Sequence, residues 1–487
     1  MKEKSIGKNF IYNAAYQILV IIAPLITTPY ISRVLGPAGN GIYSYTYSII
    51  TYFVLVATLG TQNYGQREIA YVQNDREKLS VRFWETVCFR WATTIIAVFF
   101  CGFYIVTLKD SERLPYVIQM AYILAVGFDI TWFFQGIEEF GKVVYRNSII
   151  KILTIICIFV FIKDENDIYI YLGIMAFLHL VGQISIWPYL PRYVNKAKLK
   201  IKSVFRNTKE IISLFIPTVA IQIYTVLDKT MIGIYDTSMV ENGYYEQSQK
   251  IVKMSLAIIT SLSTVMLPRI ARSYKENDHA KLSSYMYSSY RFLLMLTLPM
   301  AGGLFAIASN LVPWFFGPGY EKVIVLLAIF SLLYIGIGLS TITGIQYLIP
   351  TKQQNVYTIT VLCGAIVNFI LNLILIPEFK SIGAAIASVI AEFTVTFVQF
   401  FYVIFVKKTF KLSRIVLPSW KYFCSTIIML VVVKMVSNLC IPTVSSTVLL
   451  GVLGVGVYVL LLYTLRDEFF MKYVKGIIRK TKGLNND

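Results

Sequence analysis

Several charged side chains stand inside stretches that are otherwise apolar enough to cross a membrane. The cations in such positions are Arg33, Arg90, Lys151, Lys229 and Lys253. The acids are Asp129, Asp228 and Glu392. A charge at the centre of a membrane helix costs about 2.5–3.5 kcal/mol on insertion scales, so each one needs a function or a partner.

The chemistry available to these groups differs with their sign. Cations in a water-filled cavity suit phosphate or pyrophosphate recognition, and the acids are candidates for a coupled proton or sodium ion. The simpler alternatives are an interfacial position for Arg33, snorkelling of Lys151 and Lys253 to the membrane surface, and pairing of the acids with the cations.

Polar side chains also follow helical faces in four of the apolar segments. Asn13 and Gln17 stand four residues apart, Tyr52 continues the face of the next segment, and Gln222 shares a face with Lys229. Such faces are expected to turn toward a bundle interior or water, although helix-to-helix hydrogen bonding is the simpler reading for any single residue. We predict that these groups line one substrate-binding cavity, formed by Arg33, Arg90, Lys229, Lys253, Gln17, Asn13, Gln222 and Tyr52.

The elements that must position these groups are membrane helices. The chain is 56% hydrophobic and 15% charged, with a mean hydropathy of +0.65, which is too apolar for a water-soluble protein. Continuous apolar runs favour helices over the alternating pattern of a barrel strand. Spans of roughly 20 residues predict an all-α integral membrane protein with about 14 transmembrane helices. Their predicted centres lie near residues 20, 52, 95, 125, 153, 178, 221, 257, 300, 332, 365, 393, 430 and 456.

The net charge of +19 raises the question of a nucleic-acid partner. If both termini are cytoplasmic, the Lys and Arg clusters all fall on the cytoplasmic side, as the positive-inside rule requires. Membrane topology and anionic lipid headgroups therefore explain the charge, and no nucleic acid is expected. The six scattered cysteines and two histidines predict neither a disulfide nor a metal site, and no cofactor is expected.

One polar phrase occurs twice, and it indicates an internal repeat. "NDREKLS" at residues 74–80 returns as "NDHAKLS" at 277–283, and "GIYSY" at 41–45 corresponds to "GYYEQ" at 243–247. The shift spans six segments, so the copies share one orientation and predict two parallel six-helix bundles. The predicted divisions are an N-terminal bundle (1–191), a basic linker (192–210), a C-terminal bundle (211–406), two further transmembrane helices (419–465) and a basic cytoplasmic tail (466–487).

The stretch "SRVLGPAGNGIYSYTYSIITYFVLVATLGTQNYGQREIA" at residues 32–70 resembles the signature of the polysaccharide-biosynthesis flippases. These are the Wzx-type members of the multidrug/oligosaccharidyl-lipid/polysaccharide (MOP) superfamily. The resemblance implies translocation of an undecaprenyl-diphosphate-linked oligosaccharide from the cytoplasmic to the outer leaflet, by alternating access through a cationic central cavity. Only Arg33 belongs to the motif itself, and the other cations depend on their place in the spans.

Further expectations follow for partners, location and alternatives. We expect a monomer in the bacterial cell membrane that contacts membrane lipids and polysaccharide assembly proteins, with Na+ or H+ as the coupling ion. No phosphate loop indicates ATP use. The alternatives are a MATE-like drug/cation antiporter, which would favour an acidic cavity, and a MurJ-like flippase for a peptidoglycan precursor. A membrane polysaccharide polymerase or ligase would need a large outward loop with catalytic groups, which the predicted topology lacks.

Overall fold

The computed structural model describes residues 6–197 and 199–472. Within this part, side chains are not described at residues 6–15, 17, 214, 216–221, 223, 224, 258, 261, 262, 264 and 265. The side chains of Asn13 and Gln17, two of the predicted cavity residues, therefore lie outside the described set.

The described chain is helical throughout its apolar segments. The helices up to the middle of the chain are α1 (Ile6–Thr58), α2 (Thr61–Val72), α3 (Arg76–Thr107), α4 (Asp110–Phe128), α5 (Thr131–Gly136), α6 (Phe140–Phe161), α7 (Ile168–Ile184), α8 (Ile201–Phe205) and α9 (Thr208–Tyr235). Those that follow are α10 (Val240–Lys275), α11 (His279–Phe316), α12 (Glu321–Phe330), α13 (Leu333–Thr341), α14 (Gln354–Phe379), α15 (Ser381–Phe401), α16 (Ser413–Ser437) and α17 (Val444–Thr464). Two π-helical segments, Ile342–Leu348 and Tyr402–Val406, extend α13 and α15.

The predicted all-helical membrane class is confirmed. In the described residues, 11 helical stretches are long and apolar enough to cross a membrane. Every predicted span centre lies in a helix except residue 332, which stands between α12 and α13. The total of 14 and the cytoplasmic termini stay predictions, because α9 and α10 are not among the 11 stretches and the first stretch is 55 residues long.

The length of α1 is explained by one residue. Its 53 residues would extend about 80 Å as a straight helix, more than twice the hydrocarbon thickness. Gly36 interrupts the helix with φ 64° and ψ −177°, a conformation that glycine adopts without steric cost. Pro37 follows directly, where a fixed φ suits the first turn of a new helix. The motif "LGP" thus joins two helical segments, in agreement with two predicted spans.

The repeated polar phrase encodes a helix start. Asp75 accepts hydrogen bonds from the backbone N–H groups of Glu77 and Lys78, both at 3.1 Å, at the beginning of α3. Its repeat-related partner Asp278 accepts from Lys281 N at 2.9 Å at the beginning of α11. Both acids therefore satisfy amide groups that a helix leaves without an internal partner. Hydrogen bonding from Lys78 lowers the pKa of Asp75.

Two compact units divide the chain, Met1–Glu246 and Gln247–Asp487. In the first unit, α1 packs against α3, α4, α6 and α9. In the second unit, α14 pairs with α15, and α11 packs against α16 and α17. The predicted domain boundaries, with a linker at 192–210, stay a prediction, and α9 belongs to the first compact unit.

Repeat-related glycines meet within the first unit. A Cβ atom on Gly41 would lie 1.6 Å from the carbonyl oxygen of Met239, and one on Gly243 would lie 2.0 Å from that of Pro37. Both positions therefore need a residue without a side chain. The "GIYSY" and "GYYEQ" copies are in direct contact at this point.

Candidate functional site

A break between α4 and α5 interrupts the apolar stretch Asp110–Gly136. Asp129 and Ile130 are not helical, so the last carbonyl groups of α4 have lost their partners inside the helix. Inside a membrane such groups must be satisfied by the protein itself. Three indole N–H groups donate to them: Trp91 to Gly127 O (2.8 Å), Trp187 to Phe128 O (2.7 Å) and Trp132 to Asp129 O (3.0 Å).

Arg90 lies at this break rather than on the wall of the cavity described below. It is 2% exposed, and its Nη1 donates to the carbonyl oxygen of Asp129 at 2.5 Å. The same nitrogen lies 3.6 Å from Oδ2 of Asp129, and Nη2 donates to Gln62 Oε1 at 3.5 Å. Arg90 and Asp129 thus form a charge pair that compensates both groups where water is scarce.

The Asp129 side chain also begins α5. Its Oδ1 accepts hydrogen bonds from Thr131 N at 2.9 Å and from Thr131 Oγ1 at 2.5 Å, as a capping carboxylate does at a helix start. Thr131 and Gln135 then face a cavity within the first unit. The break therefore brings polar groups of a membrane-spanning stretch to a cavity wall.

This cavity has a volume of about 490 Å3 and lies among α1, α4, α5, α6 and α7. Four tyrosines contribute aromatic surface: Tyr16, Tyr43, Tyr47 and Tyr122. The charged and polar groups on the wall are Thr131, Gln135, Arg146, Asn147, Lys151, Thr154, His179 and Gln183. Aromatic rings beside amide and hydroxyl groups provide stacking surfaces and hydrogen-bond partners for a polar ligand.

Two cations of α6 give the cavity its charge. Arg146, 8% exposed, donates from Nη1 to Gln183 Oε1 at 2.9 Å and from Nη2 to Asn147 Oδ1 at 2.6 Å. Both acceptors are neutral. Neither Arg146 nor the half-buried Lys151 has a carboxylate in ion-pair contact within the described residues. Because buried cations are normally paired, this arrangement favours an anionic ligand.

The predicted residues Lys229 and Tyr52 lie in a second place in the first unit. Lys229 Nζ contacts Glu246 Oε2 at 2.5 Å, with 14% and 11% of the two side chains exposed. Ser44 donates to the same carboxylate oxygen at 3.1 Å, and the hydroxyls of Tyr52 and Thr230 are 3.0 Å apart. We call the contact of these five residues the polar seam. It joins α1, α9 and α10.

The remaining predicted residues are dispersed. Arg33, Gln222 and Lys253 are exposed. Asp228 accepts a hydrogen bond from the hydroxyl of Tyr245, and Glu392 lies on α15 of the second unit, close to Gly336. None of the predicted cavity residues with a described side chain lines the polar cavity, and their roles in binding or coupling stay predictions.

Sequence reasoning missed Arg146 and left Lys151 open between cavity and interface. A usable signal was present, because two cations five residues apart stand within "YRNSIIKILTIICIFVF", a single apolar segment. Such a pair is costly in a membrane and indicates a functional site.

A groove in the second unit is different in character. It has a volume of about 480 Å3, and its wall consists mostly of apolar side chains of α11, α16 and α17. Lining residues extend along α11 from Phe292 to Ile307, about 22 Å at 1.5 Å per residue. Gly303 and Gly451 leave open space at the wall, since a Cβ atom on either would meet no atom within 4 Å. Among the described residues, no group of three potential metal ligands is present in either unit.

The many apolar helices, the polar cavity and the apolar groove define the class, a multi-pass membrane transporter. Residues 6–274 match the polysaccharide biosynthesis protein family, so the chain belongs to that family. This confirms the predicted resemblance and the prediction of a transporter or flippase rather than an enzyme, located in the bacterial cell membrane.

Two relatives match this chain over most of its length. The chain is 25% identical to a "Putative O-antigen transporter" of Escherichia coli over 408 residues, 82% of this chain and 97% of that protein. It is 21% identical to "Lipid II flippase MurJ" of Bacillus subtilis over 454 residues, 80% of each chain.

The solved structures support the fold. A lipid II flippase MurJ in an inward closed conformation matches with a TM-score of 0.73 and 18% identity, covering 94% of this chain and 99% of that one. An inward-facing MATE multidrug transporter of the MOP superfamily matches with a TM-score of 0.60 and 13% identity, covering 81% and 95%. This chain thus shares the fold of these two transporters.

Proposed function

We propose that this protein is a flippase that moves an undecaprenyl-diphosphate-linked oligosaccharide from the cytoplasmic to the outer leaflet by alternating access. The observation that carries the proposal is a pair of cations in the polar cavity of the first unit, Arg146 and Lys151, which have no carboxylate in ion-pair contact among the described residues. A cavity with this charge suits the head of an anionic lipid-linked sugar.

The two parts of the head group find matching chemistry. A diphosphate accepts charge-assisted hydrogen bonds from a guanidinium and an ammonium group. Sugar rings can stack on Tyr43, Tyr47 and Tyr122 while their hydroxyl groups bond to amides such as Gln135. The cavity therefore offers contacts to the carrier phosphate and to the glycan.

The polyprenyl tail needs an apolar surface. The groove of the second unit offers one along about 22 Å of helix, roughly three quarters of the thickness of a hydrocarbon core. The burial of apolar chain contributes about 0.8 kcal/mol per CH2 group. A groove of this length would hold many such groups.

For the energy source, we propose a gradient of H+ or Na+. The acids within the spans are Asp129, Asp228 and Glu392. Asp129 contacts Arg90, and Asp228 accepts a hydrogen bond from Tyr245. Protonation of such an acid, or binding of an ion to it, would alter the contacts of its partner and so favour one conformation over another.

A second candidate is a MurJ-like flippase of a peptidoglycan precursor. The match to the Bacillus subtilis MurJ over 80% of both chains favours this reading. The match to the O-antigen transporter covers 97% of that protein at higher identity and favours a surface-polysaccharide precursor. A drug/cation antiporter would carry the opposite cavity charge, because a cationic drug is repelled by Arg146 and Lys151.

Ligand-induced stabilisation tests the cavity. Purified full-length protein is heated with and without a farnesyl-diphosphate-linked disaccharide. We expect the ligand to raise the midpoint temperature of thermal unfolding of the wild type, because the ligand binds the folded state. Arg146→Gln and Lys151→Gln should each weaken binding about 10- to 100-fold, the value of a hydrogen bond to a charged group. The control is Lys209→Gln, which removes an exposed cation outside the cavity. Equal stabilisation of all four proteins would refute the proposed site.

A further inference from the structure

The charge pair of Arg90 and Asp129 lies one hydrogen bond from the cavity wall. Thr131 lines the cavity, and its hydroxyl donates to Asp129 Oδ1 at 2.5 Å. The carboxylate is therefore in direct contact with a residue of the cavity wall. An acid in this position would oppose any anion in the cavity unless its own charge were balanced.

Arg90 supplies that balance without lining the cavity itself. It is nearly inaccessible to solvent, does not line the cavity, and contacts both the carbonyl and the carboxylate of Asp129. Asp129, in contrast, has 19% of its side chain exposed. The acid therefore contacts both a compensating cation, Arg90, and a residue of the cavity wall, Thr131.

We propose that Arg90 is a positioning residue that neutralises Asp129 and thereby preserves the preference of the cavity for anions. This inference rests on the proposed function, in which Arg146 and Lys151 bind an anionic head group. In this arrangement Arg90 makes no contact with the substrate. It neutralises the negative charge of Asp129 near the cavity, and it stabilises the break that precedes Thr131 and Gln135.

Uncharged side chains also stabilise the break. Variants of these side chains distinguish the structural role of Arg90 at the break from its electrostatic role beside Asp129. Trp91 donates an indole hydrogen bond to Gly127 O and has no formal charge. Loss of that bond should loosen the break without changing the charge of the cavity wall. Arg90→Lys should keep the charge and lose the fork-shaped geometry of the guanidinium group.

The test measures binding of two probes to purified full-length protein, farnesyl diphosphate and the neutral farnesol, and takes the ratio of their affinities. We expect the wild type to prefer the diphosphate. Arg90→Gln should reduce this preference about tenfold or more, because it leaves one uncompensated negative charge near the cavity. Arg90→Gln combined with Asp129→Asn should restore it. Trp91→Phe should lower the affinities for both probes by the same factor and leave their ratio unchanged.

Asp129→Asn keeps the test decisive if Arg90→Gln does not fold. This variant removes the negative charge and leaves Arg90, so the preference for the diphosphate should rise above that of the wild type. Folded Arg90→Gln with the wild-type ratio, or folded Asp129→Asn with no increase, would overturn the inference and leave the proposed function intact. A wild type without any preference for the diphosphate would instead refute the anion-binding cavity itself.

Discussion

Lys229 and Glu246 show at the residue scale how an intramembrane charge can be satisfied within the protein. Their contact at 2.5 Å is buried and is joined by the Ser44 hydroxyl. Sequence reasoning could place Lys229 in a span but could not find its partner, because the pair forms between α9 and α10, 17 residues apart. The partner found here explains how this cation is tolerated without assigning it to the substrate.

Removal of one member of this pair should be costly. We expect Lys229→Ala to lower the free energy of unfolding by about 3–5 kcal/mol, because the variant removes one member of a buried ion pair and Glu246 loses the cation that it contacts. Thermal unfolding of the purified protein measures this. Lys229→Met combined with Glu246→Leu should recover most of the loss, since two apolar residues of similar size can replace a buried pair. A double variant as unstable as the single one would contradict a pairwise role.

At the element scale, the break between α4 and α5 decides where the polar groups stand. The stretch "GFDITWFFQG" is apolar apart from Asp129, Thr131 and Gln135, so hydropathy predicts one continuous span. The break is stabilised by tryptophans distant in the sequence, such as Trp187, and local propensity does not contain that information. Arg90 lies beside this break, a position that hydropathy does not predict, and its role in substrate binding stays a prediction.

The indole caps of the break should be individually measurable. Trp187→Phe keeps an aromatic ring and removes the hydrogen bond to Phe128 O, leaving that carbonyl without its indole partner. We expect the free energy of unfolding to fall by about 1–3 kcal/mol, measured by thermal denaturation in detergent. Trp420→Phe is the control, because Trp420 is an exposed tryptophan of α16. Equal stability of the two variants would mean that the indole N–H groups do not stabilise the break.

Other elements were accessible from the sequence because their causes are local. The repeated Asp of "NDREKLS" and "NDHAKLS" caps a helix in both copies, and the "LGP" motif marks the interruption of α1 at Gly36. The glycine pair of "GIYSY" and "GYYEQ" was visible as a repeat. The need for glycine at both positions comes from the close approach of the Pro37–Gly41 and Met239–Gly243 segments, which only the three-dimensional structure shows.

At the scale of the whole molecule, each compact unit offers one kind of surface. The first unit holds the cationic cavity and the second holds the apolar groove. The cavity has the chemistry that an anionic head group requires, and the groove has the chemistry that a polyprenyl tail requires. Composition predicted a multi-pass membrane protein, and the signature around Arg33 predicted the family, but neither could separate the two surfaces.

Obstruction of the groove should weaken binding of the polyprenyl tail and leave binding of the head group unchanged. Gly451→Leu places a side chain in the open space of the groove, where a Cβ atom meets no neighbour. We expect at least a tenfold loss of affinity for a substrate with an undecaprenyl tail, since several buried CH2 groups are displaced. A farnesyl analogue should be affected less. Gly456→Leu is the matched control, because Gly456 has equally open surroundings on α17 and does not line the groove. Equal effects of both variants would argue against a tail site.

The central claim, translocation of a lipid-linked oligosaccharide, is tested most directly in proteoliposomes. A fluorescent undecaprenyl-diphosphate oligosaccharide is followed with a membrane-impermeant quencher, with and without H+ and Na+ gradients. The wild type should move the label between leaflets at a rate that depends on one of the gradients, whereas Arg146→Gln combined with Lys151→Gln should not exceed protein-free vesicles. No movement by the folded wild type under any gradient, or undiminished movement by the folded double variant, would contradict this account.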